Sequence, residues 1–134
     1  MKLQSASAIP RGLTGACPSF IRALSEGDLD SATACFARKG CLITPDATAI
    51  EGRDSIRPVL AQMIARQTKV LVEASYSLTG GGVVLARERW RIRVGEPDGG
   101  PIDQILDATL VLHWIEDTWK LAIAAPWGWS ASGF

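Results

Sequence analysis

Four arginines, Arg87, Arg89, Arg91 and Arg93, alternate with Glu88, Trp90, Ile92 and Val94 in the run GVVLARERWRIRVG. The next apolar run, IDQILDATLVLHW, repeats the alternation with Asp103, Asp107, Thr109, Val111 and His113 on one parity. Brought together in a dry pocket, these residue types permit two kinds of chemistry. A guanidinium grips a carboxylate or an enolate oxygen through parallel N–H donors, which suits a small acidic or carbonyl ligand. Alternatively, Asp107 held by an arginine positions a water for attack, or Asp107 and His113 move a proton with arginine assistance. His113, the lone histidine, reads equally as a hydrogen-bonded residue at a strand end, and Asp46, after Pro45, reads as a turn former.

The elements that must position these residues begin with the sheet. Residues 82–127 read as three consecutive antiparallel strands joined by the GEPDGGP loop at 95–101 and a tight turn at Glu116-Asp117. Lys69 to Leu78 supplies a fourth, with Val70, Val72, Ala74, Tyr76 and Leu78 on one face. Upstream, Leu13, Cys17, Phe20 or Ile21, and Leu24 lie on one face of a helix that ends at Gly27 and whose regular part starts near Pro18. Asp28 caps a second helix with the stripe Leu29, Ala32 or Thr33, and Phe36, stopping near Gly40. CLIT then reads as a short strand, Ala47 to Glu51 as a brief partner, and Asp54 or its neighbour caps a third helix with Pro58 in or beside its first turn.

The composition limits the possible partners. Fourteen basic and fourteen acidic side chains balance, and no basic tract interleaved with aromatics suggests nucleic acid. No apolar stretch approaches a membrane span, and the N-terminal residues lack the apolar core of a signal peptide. Cys17, Cys35 and Cys41 match no metal spacing and read as reduced core hydrophobes. The expectation is a soluble, cytoplasmic protein without cofactor or metal: no glycine-rich phosphate loop joins a strand to a helix, and Gly80-Gly81-Gly82 is a hairpin turn. Residues 1–12 read as a loose arm, 13–130 as one α+β domain and 131–134 as a tail.

FIRALSEGDLDSATACFARKGCLITPDATAIEGRDSI resembles the opening of the SnoaL-like branch of the NTF2-like superfamily, and DTWKLAIAAPWG resembles the close of ketosteroid-isomerase homologues in that branch. The likeness covers about residues 17–128. It implies a cone, a curved antiparallel sheet of mixed strand order wrapped around three N-terminal helices, with a pocket at the open end and a homodimer through the outer sheet face. Steroid isomerisation is not implied, because the general base falls at Thr44, the tyrosine at Phe20 and the oxyanion-hole acid near Val111. The polar pair usual in the closing strand is Ala124-Ala125 here.

Periodicity and resemblance disagree about which face of the sheet is inside. Periodicity turns Ala86, Trp90, Ile92, Leu106, Leu110, Leu112 and Trp114 toward the helices, leaving Glu88 as an acid on an apolar face and the arginines in water. The resemblance turns the other face inward. Arg87, Arg89, Asp107, Thr109 and His113 would then form a polar cluster at the base of the cone with Phe20 and Tyr76 as aromatic neighbours, and Trp90 and Trp114 would form the dimer interface. An Asp-Arg cluster of this kind resembles the set in limonene-epoxide hydrolases, although Ala124 occupies one place for the second acid. The expected activity is binding of a small, partly apolar molecule carrying an acidic or carbonyl group. A hydrolase, isomerase or polyketide-cyclase type of enzyme and a non-catalytic dimerisation module are the alternatives. Trp119, Trp127 and Trp129 read as caps of the cone or the dimer edge, with a ring-binding wall as the other role.

Overall fold

The computed structural model describes residues 15–95 and 102–127. The expected arm at 1–12, the helix start at Leu13, most of the 95–101 loop, Trp129 and the tail lie outside the described residues. Helices α1 (Pro18–Glu26) and α2 (Leu29–Ala34) form a hairpin, followed by strands β1 (Phe36–Ile43) and β2 (Ala49–Glu51), helix α3 (Arg53–Ala65) and four strands. These are β3 (Lys69–Gly80), β4 (Val83–Val94), β5 (Ile102–Ile115) and β6 (Thr118–Ala125). They make one six-stranded sheet in the order β2-β1-β6-β5-β4-β3. All pairs are antiparallel except β1 with β6. The α+β cone is the observed architecture, its curved and unclosed sheet wrapped over the three helices.

Local chemistry explains the helix boundaries. Pro18 occupies the first turn of α1, where its missing N–H costs nothing. Gly27 takes a left-handed φ of 76° to stop it, and the Asp28 amide returns to the Ala23 carbonyl. Asp28 then caps α2, accepting from the Ser31 hydroxyl at 2.7 Å and the Ser31 amide at 3.1 Å, and both bonds hold its carboxyl below the usual carboxylate range. The core lies on the concave side of the sheet. Phe20, Leu24, Phe36, Ile56 and Leu60 meet Val72, Trp90, Leu110, Leu112 and Leu121 there, with the Phe20 and Phe36 rings edge to face at 5.5 Å.

The structure corrects three expectations. The second helix stops at Ala34, and residues up to Gly40 are already strand, because Phe36 pairs in parallel with Leu121 of β6. Gly40 sits where that register shifts, and a Cβ there would lie 2.8 Å from the Leu121 carbonyl oxygen; the glycine marks a bulge with close backbone approach and not a helix end. In β3, a bulge between Val72 and Ala74 reverses the alternation. Val70, Val72 and Ser75 are buried, whereas Ala74, Tyr76 and Leu78 face outward. Finally, Gly52 precedes α3 without a side-chain cap, and Pro58 lies inside the helix, past its first turn.

Candidate functional site

Strand β4 settles which face is inside. Ala86, Glu88, Trp90 and Ile92 are buried, and Arg87, Arg89 and Arg93 are exposed. The face set by periodicity is the inner one, and the inward arginine cluster expected from the resemblance is overturned. Burying the apolar series gains transfer free energy, whereas four guanidinium groups on the inside would each need a desolvated partner. Trp90 is fully buried in the core, so it does not belong to an interface.

Most of the predicted polar residues do come together, but on the convex face. Arg87 is in register with Tyr76 on one side and Thr109 on the other, and Arg89 with Asp107. The Arg89 Nε to Asp107 Oδ1 distance is 3.5 Å, and both side chains are more than half exposed. Arg87, Arg89 and Asp107 share a shallow, open groove with Ala74. Farther along, Arg91 donates to Glu73 at 2.8 Å and to Asp103 at 3.2 Å, which raises the guanidinium further, with Glu73 the larger cause. His113 is exposed and in register with Lys120 of β6. Phe20 is separated from this group by the sheet, in the core. Trp114 is half exposed and packs edge-on against Trp119 at 5.2 Å. Thr44 and Asp46 are bonded to each other and to Thr48, which commits Asp46 to the turn between β1 and β2.

The acid on the apolar face is fully satisfied. Glu88 accepts from the Ala16 amide at 2.6 Å, the Ser75 hydroxyl at 2.8 Å and the Trp90 indole Nε1 at 2.8 Å. The β3 bulge is what turns Ser75 toward it. Gly15 lies against the carboxylate with φ +71°, and a Cβ there would fall 2.5 Å from an oxygen. Glu88 therefore anchors the chain entering α1.

A separate cavity of about 430 Å³ opens between α3 and the inner face at the end of the cone. Val59, Met63, Ile92, Val94, Leu106 and Trp127 wall it, and Gln62, Arg66 and Gln104 provide donors. Gln62 and Arg66 stand four residues apart on one side of α3 and its end, which is the helical spacing that brings two side chains together. Thr44, which also lines it, Ile92, Leu106, Trp127 and the stripe of α3 are marked out by the sequence; Gln62, Arg66 and Gln104 are not. The available signal was Gln104, a polar residue at the head of the apolar parity Leu106, Ala108, Leu110. Among the described residues no group of three or more His, Cys, Asp or Glu side chains is placed to hold a metal, and no helix is long and apolar enough to cross a membrane.

A curved, unclosed six-stranded sheet wrapped over three helices, with a cavity at its mouth, defines the NTF2-like class of proteins. Within it, a SnoaL-like domain model matches residues 19–120, and the chain belongs to the SnoaL-like family. An NTF2-like proposed dehydratase from Streptomyces avermitilis is similar at 18% identity and a TM-score of 0.72, over 80% of this chain and 86% of that one. A proposed calcium/calmodulin-dependent protein kinase II association domain from Xanthomonas campestris is similar at 15% identity and a TM-score of 0.74, covering 93% and 94%. A protein of unknown function from Mycobacterium tuberculosis is similar at 16% identity and a TM-score of 0.72, covering 81% and 69%. At these identities the likeness is one of fold. No protein of curated function matches.

Proposed function

We propose that the protein binds a small, partly apolar molecule carrying an acidic or carbonyl group in the cavity at the mouth of the cone. The observation that supports this reading is the lining itself: apolar walls from α3, β4, β5 and Trp127, with Arg66, two amides and the threonines Thr44 and Thr68 as the polar groups. A cavity of this size with a few convergent polar groups has the character of a small-molecule site, and a lone guanidinium flanked by carboxamides suits a carboxylate or carbonyl oxygen. Among the described residues, the lining carries no carboxylate and no imidazole. Proton transfer by Asp107 and His113 would act on the other face of the sheet, so binding is favoured over turnover.

Trp127 makes the reading testable by fluorescence. Titration with small aromatic and aliphatic carboxylates and ketones is expected to shift or quench the emission saturably for at least one member. Arg66→Ala should weaken an acidic ligand by about tenfold or more, the scale of a lost charge-assisted hydrogen bond. Met63→Trp should occlude the cavity and abolish binding. Saturable binding that survives Met63→Trp unchanged would place the ligand elsewhere than in this cavity.

A homodimer through the convex face is the second reading, centred on different residues from Trp90. Leu78, Leu85, Val111 and Ile123 lie in register across β3, β4, β5 and β6 on that face. Leu78, Leu85 and Ile123 are 37%, 42% and 41% exposed, an apolar band across four strands flanked by both arginines and aspartates. Such a band is self-complementary in a twofold arrangement. The double variant Leu85→Glu with Val111→Glu should sediment as a folded monomer where the native protein sediments as a dimer. A native protein that is monomeric at all concentrations would end this reading and leave ligand binding untouched.

A further inference from the structure

The antiparallel α1–α2 hairpin brings its two open ends together. Cys17 stands immediately before α1, and Cys35 immediately after α2. Both residues line one cavity of about 370 Å³ bounded by Ser19, Ser31, Leu112, Trp119 and Lys120. This cavity is distinct from the one at the mouth of the cone. Cys17 is buried and Cys35 half-buried.

The surroundings of Cys35 are cationic and fixed. Lys120 donates from Nζ to the Ala34 carbonyl at 2.8 Å, and Arg53 donates to the Phe36 carbonyl at 2.8 Å and to the Ala34 carbonyl at 3.3 Å. Two cations thus hold the peptide carbonyls on either side of Cys35, at the electronegative end of α2, where positive charge is favourable. The Cys17 bond, and then Lys120 and Arg53, hold the Cys35 thiol below the ordinary thiol range against the opposing effect of burial. Cys17 is its converse: the Cys35 partner and burial push it up, with Glu88 adding to the shift against a bond from the Phe20 amide. Cys41, also half-buried, is raised by burial and by Glu51.

We propose that Cys35 and Cys17 are a thiol redox pair, in which the Cys35 sulfur is oxidised by a small hydroperoxide admitted to this cavity and Cys17 resolves the product as a disulfide. The Cys35 sulfur attacks the distal peroxide oxygen, the O–O bond breaks, and the departing alkoxide or hydroxide takes up a proton and leaves as alcohol or water. Cys35 is then a sulfenic acid, two electrons more oxidised, and the peroxide is reduced. In the second step the Cys17 sulfur bonds to the Cys35 sulfur, the S–OH bond breaks, and hydroxide leaves with the Cys17 proton as water. Two thiols on one cavity wall, one of them flanked by Lys120 and Arg53, are the arrangement that oxidation followed by disulfide formation needs, whereas simple alkylation needs only one sulfur. An external dithiol reverses the product.

The test uses the full, reduced chain with cumene hydroperoxide or hydrogen peroxide near stoichiometry. Intact mass is expected to fall by two hydrogens, and peptide mapping to join Cys17 to Cys35 within one molecule while Cys41 stays free. Cys35 should react at least about tenfold faster than Cys41. In Cys17→Ser the product should stop at one added oxygen on Cys35, trapped by dimedone. Lys120→Gln should move the pH profile of Cys35 alkylation upward without changing that of Cys41, a shift that a merely structural lysine would not produce. Equal, slow oxidation of all three cysteines in the native protein, or a disulfide that forms only between molecules, would overturn the proposal without any variant being needed.

Discussion

Replacing Glu88 by alanine is expected to lower the unfolding free energy by about 3–5 kcal/mol, among the largest effects of any single change in the described fold. The carboxylate is the shared acceptor of three donors on three different segments, the part-buried Ala16 amide before α1 and the buried Ser75 hydroxyl on β3 and Trp90 indole on β4. Alanine leaves all three without a protein partner, two of them buried, at about 1–3 kcal/mol for each orphaned buried group, less than additively because they share one site. Glu88→Gln keeps one carbonyl oxygen but places an amide NH₂ against further donors, so its loss should fall between alanine and the native protein. Ser75→Ala removes one donor and leaves the acceptor satisfied twice, and should cost about 1 kcal/mol. Urea denaturation followed by far-ultraviolet circular dichroism gives the three values. An alanine loss below about 1 kcal/mol would mean that the segment at Gly15 and Ala16 does not dock on Glu88.

The fold was legible because its longest elements carry strong, simple periods. The alternation through β4 and β5 fixes both the pairing and the buried face, since a slip of one residue would expose Trp90 and bury Arg89. The register in fact opposes Arg89 to Asp107, as alternation on a shared face requires. Misreadings cluster where two backbones approach or where a bulge changes the period. Leu29, Ala32 and Phe36 carry a helical spacing, yet Phe36 is drawn into strand by the parallel partner Leu121, whose position depends on a chain segment far away in sequence. In β3, nothing local announces the extra residue that turns Ser75 inward and Tyr76 outward, because the bulge is selected by the buried carboxylate of Glu88 on the next strand.

The site was less legible than the fold for a related reason. Arg87, Arg89, Asp107 and Thr109 are neighbours in space as they are in pattern, but the resemblance assigned them to the wrong side of the sheet, and His113 lies farther along β5 beside Lys120. Cavity residues such as Arg66 and Gln104 come from a helix end and a strand start, where no period distinguishes a lining side chain from a solvated one. The placing of Cys17 and Cys35 on one cavity wall depends on the hairpin turning back at Gly27 and Asp28, so residues with no informative spacing in sequence come to one site.

Trp90 provides the sharpest separation between the two faces. Trp90→Glu is expected to abolish folding outright. The indole is fully buried among residues of the helices and the inner sheet face, and its Nε1–H is one of the three donors to Glu88. Truncating such a residue to alanine costs about 3–5 kcal/mol through lost transfer free energy and the cavity left behind. A glutamate adds a buried carboxylate without a cation, two residues along the same face from an existing buried carboxylate, at several kcal/mol more. Set against the roughly 5–15 kcal/mol that a domain has in total, the sum leaves no native state at 37 °C. The same substitution on the opposite parity of the same strand, Leu85→Glu, places its charge in water at a residue already 42% exposed, and the chain should keep its near-ultraviolet spectrum and cooperative unfolding. One pair of circular dichroism and urea measurements decides the matter: a folded Trp90→Glu protein would put Trp90 on an accessible surface and restore the inverted sheet, with the arginines inside the cone.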